Sequence, residues 1–378
     1  MESGKQEQRV NLYVNIIFFV VLVAFVGLRI CGHYGLFSFL GKNGSYYLGL
    51  FTQIGLIFLL PILLLKVLTK SRMKDVFRFC CYRKVTKKVL IASVCLGIVV
   101  FFLNVYVSNF FNSIISFFGY KHSASSGGPT TWLSFGLSVL CSAILPAICE
   151  ETLTRGIVLN GNSMGGMKKS IVISGFLFGL LHLNIEQFFY ATLIGLFLGF
   201  LCWGCGSIIP GMIVHFMNNF LSIFFSFAAN RGWGIGKLFD WIARFVLENH
   251  ILGFALLILF LILLGYLMIT LTHFMLTETI KRDFANRQKE FAVFAARKNY
   301  FKSVESIKSG DYVPMSDAKL EEKDFGKYVE ENLNDIIEGA SLFEMPKVKM
   351  TKMSKVFLIG SIILSSAITI LTFVWGVL

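Results

Sequence analysis

Apolar runs of roughly membrane-crossing length recur along this chain, separated by short polar stretches, and the pattern predicts transmembrane helices. Nine runs stand out, near 12–30, 46–68, 88–112, 131–158, 169–184, 187–208, 210–229, 250–274 and 354–378. The expected fold is therefore all-α: a polytopic helical membrane protein with about eight or nine transmembrane helices. The runs divide the chain into N-terminal transmembrane helices (1–130), a central transmembrane core (131–229) and an outside loop with one helix (230–274). A soluble, partly helical loop (275–353) and a C-terminal transmembrane helix (354–378) complete it.

The polar stretches set the expected orientation. Between Lys66 and Lys88 there are nine Lys or Arg and one acid, Asp75, so this loop is expected in the cytoplasm. Counting spans outward places the N-terminus and the loops at 168–169 and 275–353 inside, and the C-terminus outside. The base-poor loops at 31–45, 118–130 and 230–249 then face out. No small-residue cleavage site follows the first run, which reads as a span rather than a cleaved signal. The 275–353 segment holds 14 Lys/Arg and 14 of the chain's 22 Asp/Glu. Within it, Phe284, Phe291, Phe294 and Phe301 share one helical face ringed by Lys281, Arg282, Arg287, Lys289, Arg297 and Lys298. Such a face suits either an interfacial helix on anionic lipid or a helix packed on its own loop.

Composition agrees with the pattern. The chain is 55% hydrophobic and only 15% charged, against about 25% charged in soluble proteins. A net charge of +13 would suggest nucleic acid in a soluble chain, but here the bases flank spans, and no nucleic-acid partner is expected. Of eight cysteines, the spaced pair Cys202 and Cys205 lies inside a span with no second pair and reads as small apolar packing. Gly175-x-x-x-Gly179 and Gly195-x-x-x-Gly199 on successive spans fit a close helix crossing.

Candidate chemistry concentrates at Pro146–Gly156, where Glu150, Glu151 and Arg155 sit within an apolar run. Charge at the centre of a membrane helix costs at least about 2.5–3.5 kcal/mol per residue, so such residues are functional candidates. On a helix, Glu151 and Arg155 are spaced i, i+4 for an ion pair. Glu150 is turned away from that pair by about 100°, which leaves one carboxylate available. Pro146 removes a backbone hydrogen bond next to the site. Two other spans each add a cluster: Phe178 with His182, and His215 with Asn219. A carboxylate in a low-dielectric pocket, histidines to move protons and an amide to meet an oxyanion suffice for peptide hydrolysis. Two histidines and a carboxylate also resemble a zinc site, though no His-Glu-x-x-His pair is present.

Taken together, Glu150-Glu151-x-x-x-Arg155, Phe178-x-x-x-His182 and His215-x-x-x-Asn219 resemble the three motifs of the CAAX-protease and bacteriocin-processing (Abi, CPBP) intramembrane protease family. The type II CAAX prenyl endopeptidases are its best-known branch. The resemblance covers roughly 131–229 and implies a conical intramembrane catalytic cavity. It implies that Glu150 activates water with His182, that His215 and Asn219 position water or stabilise the oxyanion, and that Glu151, Arg155 and Phe178 support the site. No cofactor is expected, because the Asn and the second Glu favour a metal-free glutamate mechanism. A zinc-dependent version would use Glu150, His182 and His215 as ligands. The implied partners are the bilayer and a membrane-bound or lipidated peptide, and the implied location is a bacterial cell membrane. A non-proteolytic immunity or scaffold protein and an ion-coupled transporter are the rival readings.

Overall fold

A computed structural model of the chain describes residues 2–122, 128–235, 238, 241, 244, 245, 248–309 and 348–377, with side chains described except at 2–4, 42, 43, 250, 254 and 284–309. All regular structure among them is helical. The helices are α1 (Glu2–His33), α2 (Gly44–Thr69), α3 (Met73–Phe79), α4 (Lys87–Phe117) and α5 (Trp132–Gly165). They continue with α6 (Met167–Leu181), α7 (Ile185–Cys205), α8 (Ile209–Asn230), α9 (His250–Ser309) and α10 (Lys352–Val377). Among the described residues, eight helices are long and apolar enough to cross a membrane, all but α3 and α6.

Two boundaries differ from the hydropathy pattern, and the differences have one cause. The fourth run ends near 158 in apolar character, yet α5 continues to Gly165. Its last turns are polar but satisfied: Asn160 donates to Gly156 O and to Phe79 O, both at 2.9 Å, and Asn11 of α1 donates to Gly161 O at 2.8 Å. The fifth run was expected at 169–184; α6 is only 15 residues, about 22 Å, and falls short of a ~30 Å hydrocarbon core. Glu150 and His182 each lie fifteen residues from the α5–α6 turn, which brings them to similar depth. With α5 ending at 158, Glu150 would have been too shallow to meet His182.

Loop contacts sort the helix ends into two groups. At one end, Ser207 donates to Arg83 O (2.7 Å), Arg282 donates to Lys84 O (2.8 Å), and Val348 N donates to Met164 O (3.1 Å). This end gathers the basic 66–88 stretch with the 160–169 turn. At the other, Lys121 N donates to Gly376 O (2.7 Å) and Ile185 N to Thr372 Oγ1 (3.0 Å), while His122 Nδ1 lies 3.1 Å from Glu186. The grouping matches the alternation of loops expected from the span count. The backbone of α9 stays helical to Ser309; the Phe284, Phe291, Phe294 and Phe301 face and residues 310–347 lie outside the described side chains and residues.

Two apolar clusters flank the centre. One joins α1, α2, α5, α6 and α10 through Val14, Ile17, Leu56, Leu153, Leu177 and Leu358. The other joins α4, α7, α8 and α9 through Leu96, Val100, Leu198, Val214 and Met275. The hairpin of α6 and α7 bridges them. Its two helices touch at Gly175 and Gly195, where a Cβ on Gly195 would stand 2.8 Å from Gly175 O and 3.1 Å from the Phe178 ring. All eight cysteines are free, with Cys202 and Cys205 buried in packing contacts.

This crossing yields a first prediction. Gly195→Ala should cost about 1–3 kcal/mol through overpacking against backbone, seen as a lower midpoint of thermal unfolding in detergent. Gly199→Ala, whose Cβ would meet Ile171 at an ordinary 3.4 Å, should unfold like the unaltered protein. Equal midpoints for the two variants would contradict the crossing.

Candidate active site

The site begins with how α5 is wound. Pro146 has no N–H to donate, and the helix around it alternates between turn types. A wide π segment at Leu140–Ile144 precedes the α-helical Leu145–Glu151, and a second π segment covers Thr152–Leu159. Such wide turns recur at functional sites because they re-aim neighbouring side chains. Here Glu150 is part-exposed to a cavity, whereas Glu151 is fully buried on the adjoining face.

Glu151 and Arg155 form the expected ion pair. Arg155 Nη1 donates to Glu151 Oε1 at 2.9 Å, with both side chains completely buried. Three contacts hold the far end of Arg155: Nη1 reaches Thr154 Oγ1 (2.6 Å), Nη2 donates to Gly195 O (3.1 Å), and the guanidinium lies 4.2 Å from the centre of the Phe178 ring. This last contact is a cation–π interaction, which is stronger where water is excluded. Arg155 Nε and Glu151 Oε2 are buried without a hydrogen-bond partner among the described residues. The same Glu151 oxygen takes a second partner, His215 Nδ1 of α8, at 3.0 Å. A carboxylate on Nδ1 fixes the imidazole's orientation and leaves Nε2 as its remaining nitrogen. Phe178 meets both histidine rings edge to face, at 5.1 Å for His182 and 5.6 Å for His215. Tyr82, in the loop before α4, bonds Thr152 Oγ1 at 2.5 Å, and burial pushes its phenol up to about 12.

A cavity of about 790 Å³ opens beside this buried pair, lined by Glu150, Phe178, His182, His215 and Asn219 among others. Glu151 and Arg155 are not part of its lining. Within it, Glu150 Oε1 accepts from Gln53 Nε2 at 2.9 Å. His182 Nδ1 lies 2.9 Å from Phe178 O. A carbonyl only accepts, so Nδ1 carries the proton and Nε2 is the basic nitrogen. Asn219 donates one N–H to Ser142 O (3.0 Å) and accepts from Asn218 (3.0 Å), which in turn accepts from Asn104 of α4 (3.2 Å). One Asn219 N–H remains for a ligand.

Among the described residues, no group of three or more His, Cys, Asp or Glu is placed to hold a metal ion. Glu150, His182 and His215 share the cavity without converging on one point, so this donor set does not fit a zinc ion.

Several cavity residues belong to none of the three motifs: Gln53, Asn104, Asn112, Tyr190 and Asn218. Gln53 and Asn104 did have a signal, a lone amide within an apolar run. Gln53 Oε1 and Asn112 Oδ1 are buried without a hydrogen-bond partner in the described structure, so polar capacity inside the cavity is left open.

The buried pair makes a second prediction. Arg155→Ala should destabilise by about 3–5 kcal/mol, because it leaves Glu151 charged, buried and without its cation. Arg155→Lys keeps the charge but not the fork that reaches Gly195 O, so its thermal midpoint should fall between the two. A midpoint for Arg155→Ala equal to that of the unaltered protein would sink the pair's structural role.

Comparison with known proteins bears on the same residues. Residues 132–221 match the model of a family described as Type II CAAX prenyl endopeptidase Rce1-like. No curated protein and no solved structure matches the chain. The matched segment runs from the first turn of α5 to two residues past Asn219, and so contains all three motifs. Over this segment the chain is similar to the type II CAAX prenyl endopeptidase Rce1-like family.

Proposed function

We propose that the chain is an intramembrane endopeptidase that hydrolyses a peptide bond of a membrane-associated or lipidated protein by a metal-free glutamate mechanism. The observation that carries this reading is the separation of two adjacent carboxylates: Glu151 is locked to Arg155 and His215, while Glu150 faces the cavity. Glu150 takes a proton from water as the water oxygen attacks the scissile carbonyl carbon. The resulting oxyanion accepts from the spare N–H of Asn219, which the Asn104–Asn218 chain orients. As the C–N bond breaks, the proton passes from Glu150 to the leaving amine. His182 and His215 each keep Nε2 for holding water or relaying that proton. Gln53 aims the Glu150 carboxylate.

Cleavage of a membrane-peptide library by purified protein tests the assignment. Glu150→Gln should reduce cleavage by at least about a hundredfold, the scale of lost general-base catalysis, with an unchanged unfolding midpoint. Chelator should leave the unaltered protein active. Full activity in Glu150→Gln, or activity restored only by added zinc, would refute the mechanism.

We place the cavity mouth on the outer side of the membrane. The lining extends to Asn112, Glu186 and Gln187, near the helix ends opposite the basic 66–88 loop, and that loop belongs in the cytoplasm by its charge. In a background with Cys31, Cys95 and Cys141 replaced by Ser, Gln187→Cys should react with a membrane-impermeant maleimide added outside intact cells. Protection from outside together with labelling in inverted vesicles would reverse the orientation.

A further inference from the structure

At the end of the molecule opposite the cavity mouth, a second cavity of about 830 Å³ lies between α1 and the α2–α3 corner. Its wall divides by chemistry. Val10, Leu65, Leu68 and Val76 form an apolar side, while Lys5, Arg9 and Lys70 supply three cations from two separate elements. The one carboxylate in the lining, Asp75, already accepts from Arg72 Nε at 3.1 Å. None of the three cations has a carboxylate partner among the described residues. Among the described residues, the cavity thus gathers three cations with no carboxylate bonded to them.

Lys70 adds an independent observation. It caps the C-terminus of α2 in the left-handed conformation, with φ of 53°. Glycine is the usual residue there because a Cβ is strained in that region. A lysine at such a position keeps a side chain in the cavity at the expense of backbone comfort, the pattern seen where a ligand contact is retained. Beside the cavity, Leu63 and Val67 of α2 are 47% and 68% exposed on the outer surface, a surface suited to acyl chains.

We propose that this cavity binds the phosphate-bearing headgroup of an anionic phospholipid, with Lys5, Arg9 and Lys70 on the phosphate and the acyl chains along the outer face of α2. Basic pockets between transmembrane helices at a cytoplasmic face are suited to such headgroups. The site is remote from Glu150 and does not depend on the protease reading.

The test uses full-length protein in nanodiscs of phosphatidylcholine, with and without phosphatidylglycerol, and native mass spectrometry to count retained lipid. The unaltered protein should retain phosphatidylglycerol in preference to phosphatidylcholine. Each cation removed should weaken retention about fivefold, so Lys5→Gln/Arg9→Gln/Lys70→Gln together should lose on the order of a hundredfold. Lys70→Gly separates binding from folding: it relieves the left-handed strain, so its unfolding midpoint in pure phosphatidylcholine should hold or rise while lipid retention falls. Retention in the triple variant within twofold of the unaltered protein would overturn the proposal. So would stabilisation by inorganic phosphate with no preference for phosphatidylglycerol, which would assign the cations to a soluble anion.

Discussion

The fully buried Glu151–Arg155 pair is the constraint on which the rest of the site depends. Two charges cannot stay inside a membrane helix unless each is paired and hydrogen-bonded. Meeting that requirement recruits parts of four helices: Thr154 of α5 itself, the Phe178 ring of α6, the Gly195 carbonyl of α7 and His215 of α8. The Gly195 carbonyl is reachable because α6 and α7 touch at glycines. Anchoring the arginine and closing the α6–α7 hairpin are therefore one packing problem. Once Glu151 is held, Glu150 must point about 100° away, and there it lines the polar cavity.

Within the cavity the protein relies on amides more than on charges. Gln53 holds Glu150, and Asn104 and Asn218 hold Asn219. Amides donate and accept at once, so a chain of them fixes direction without adding a charge that the low dielectric would penalise. The apolar clusters on either side supply the rigidity, one through α1, α2, α5, α6 and α10, the other through α4, α7, α8 and α9. The site lies at the seam between them.

What could be read from the sequence was what depends on local geometry. The i, i+4 spacing of Glu151 and Arg155 specified their pairing, and adjacency specified that Glu150 would diverge. The two glycine pairs marked the α6–α7 crossing because a missing Cβ has one steric meaning. Contacts between distant segments were not legible: His215 bonds Glu151 across 64 residues, and no spacing announces it. The end of α5 was misplaced because hydropathy stops at 158, whereas the helix continues on bonds from Asn11 and Asn160 that only the folded chain supplies. Gln53 and Asn104 were visible as amides in apolar runs, but their partners were not.

The most direct test of this division of labour is to map which carboxylate reacts with an apolar carbodiimide in the detergent-purified protein at mildly acidic pH, by peptide mass spectrometry. The account predicts modification of Glu150, with cleavage activity falling in proportion, and no modification of Glu151. Equal labelling of both residues, or labelling of Glu151 alone, would contradict it.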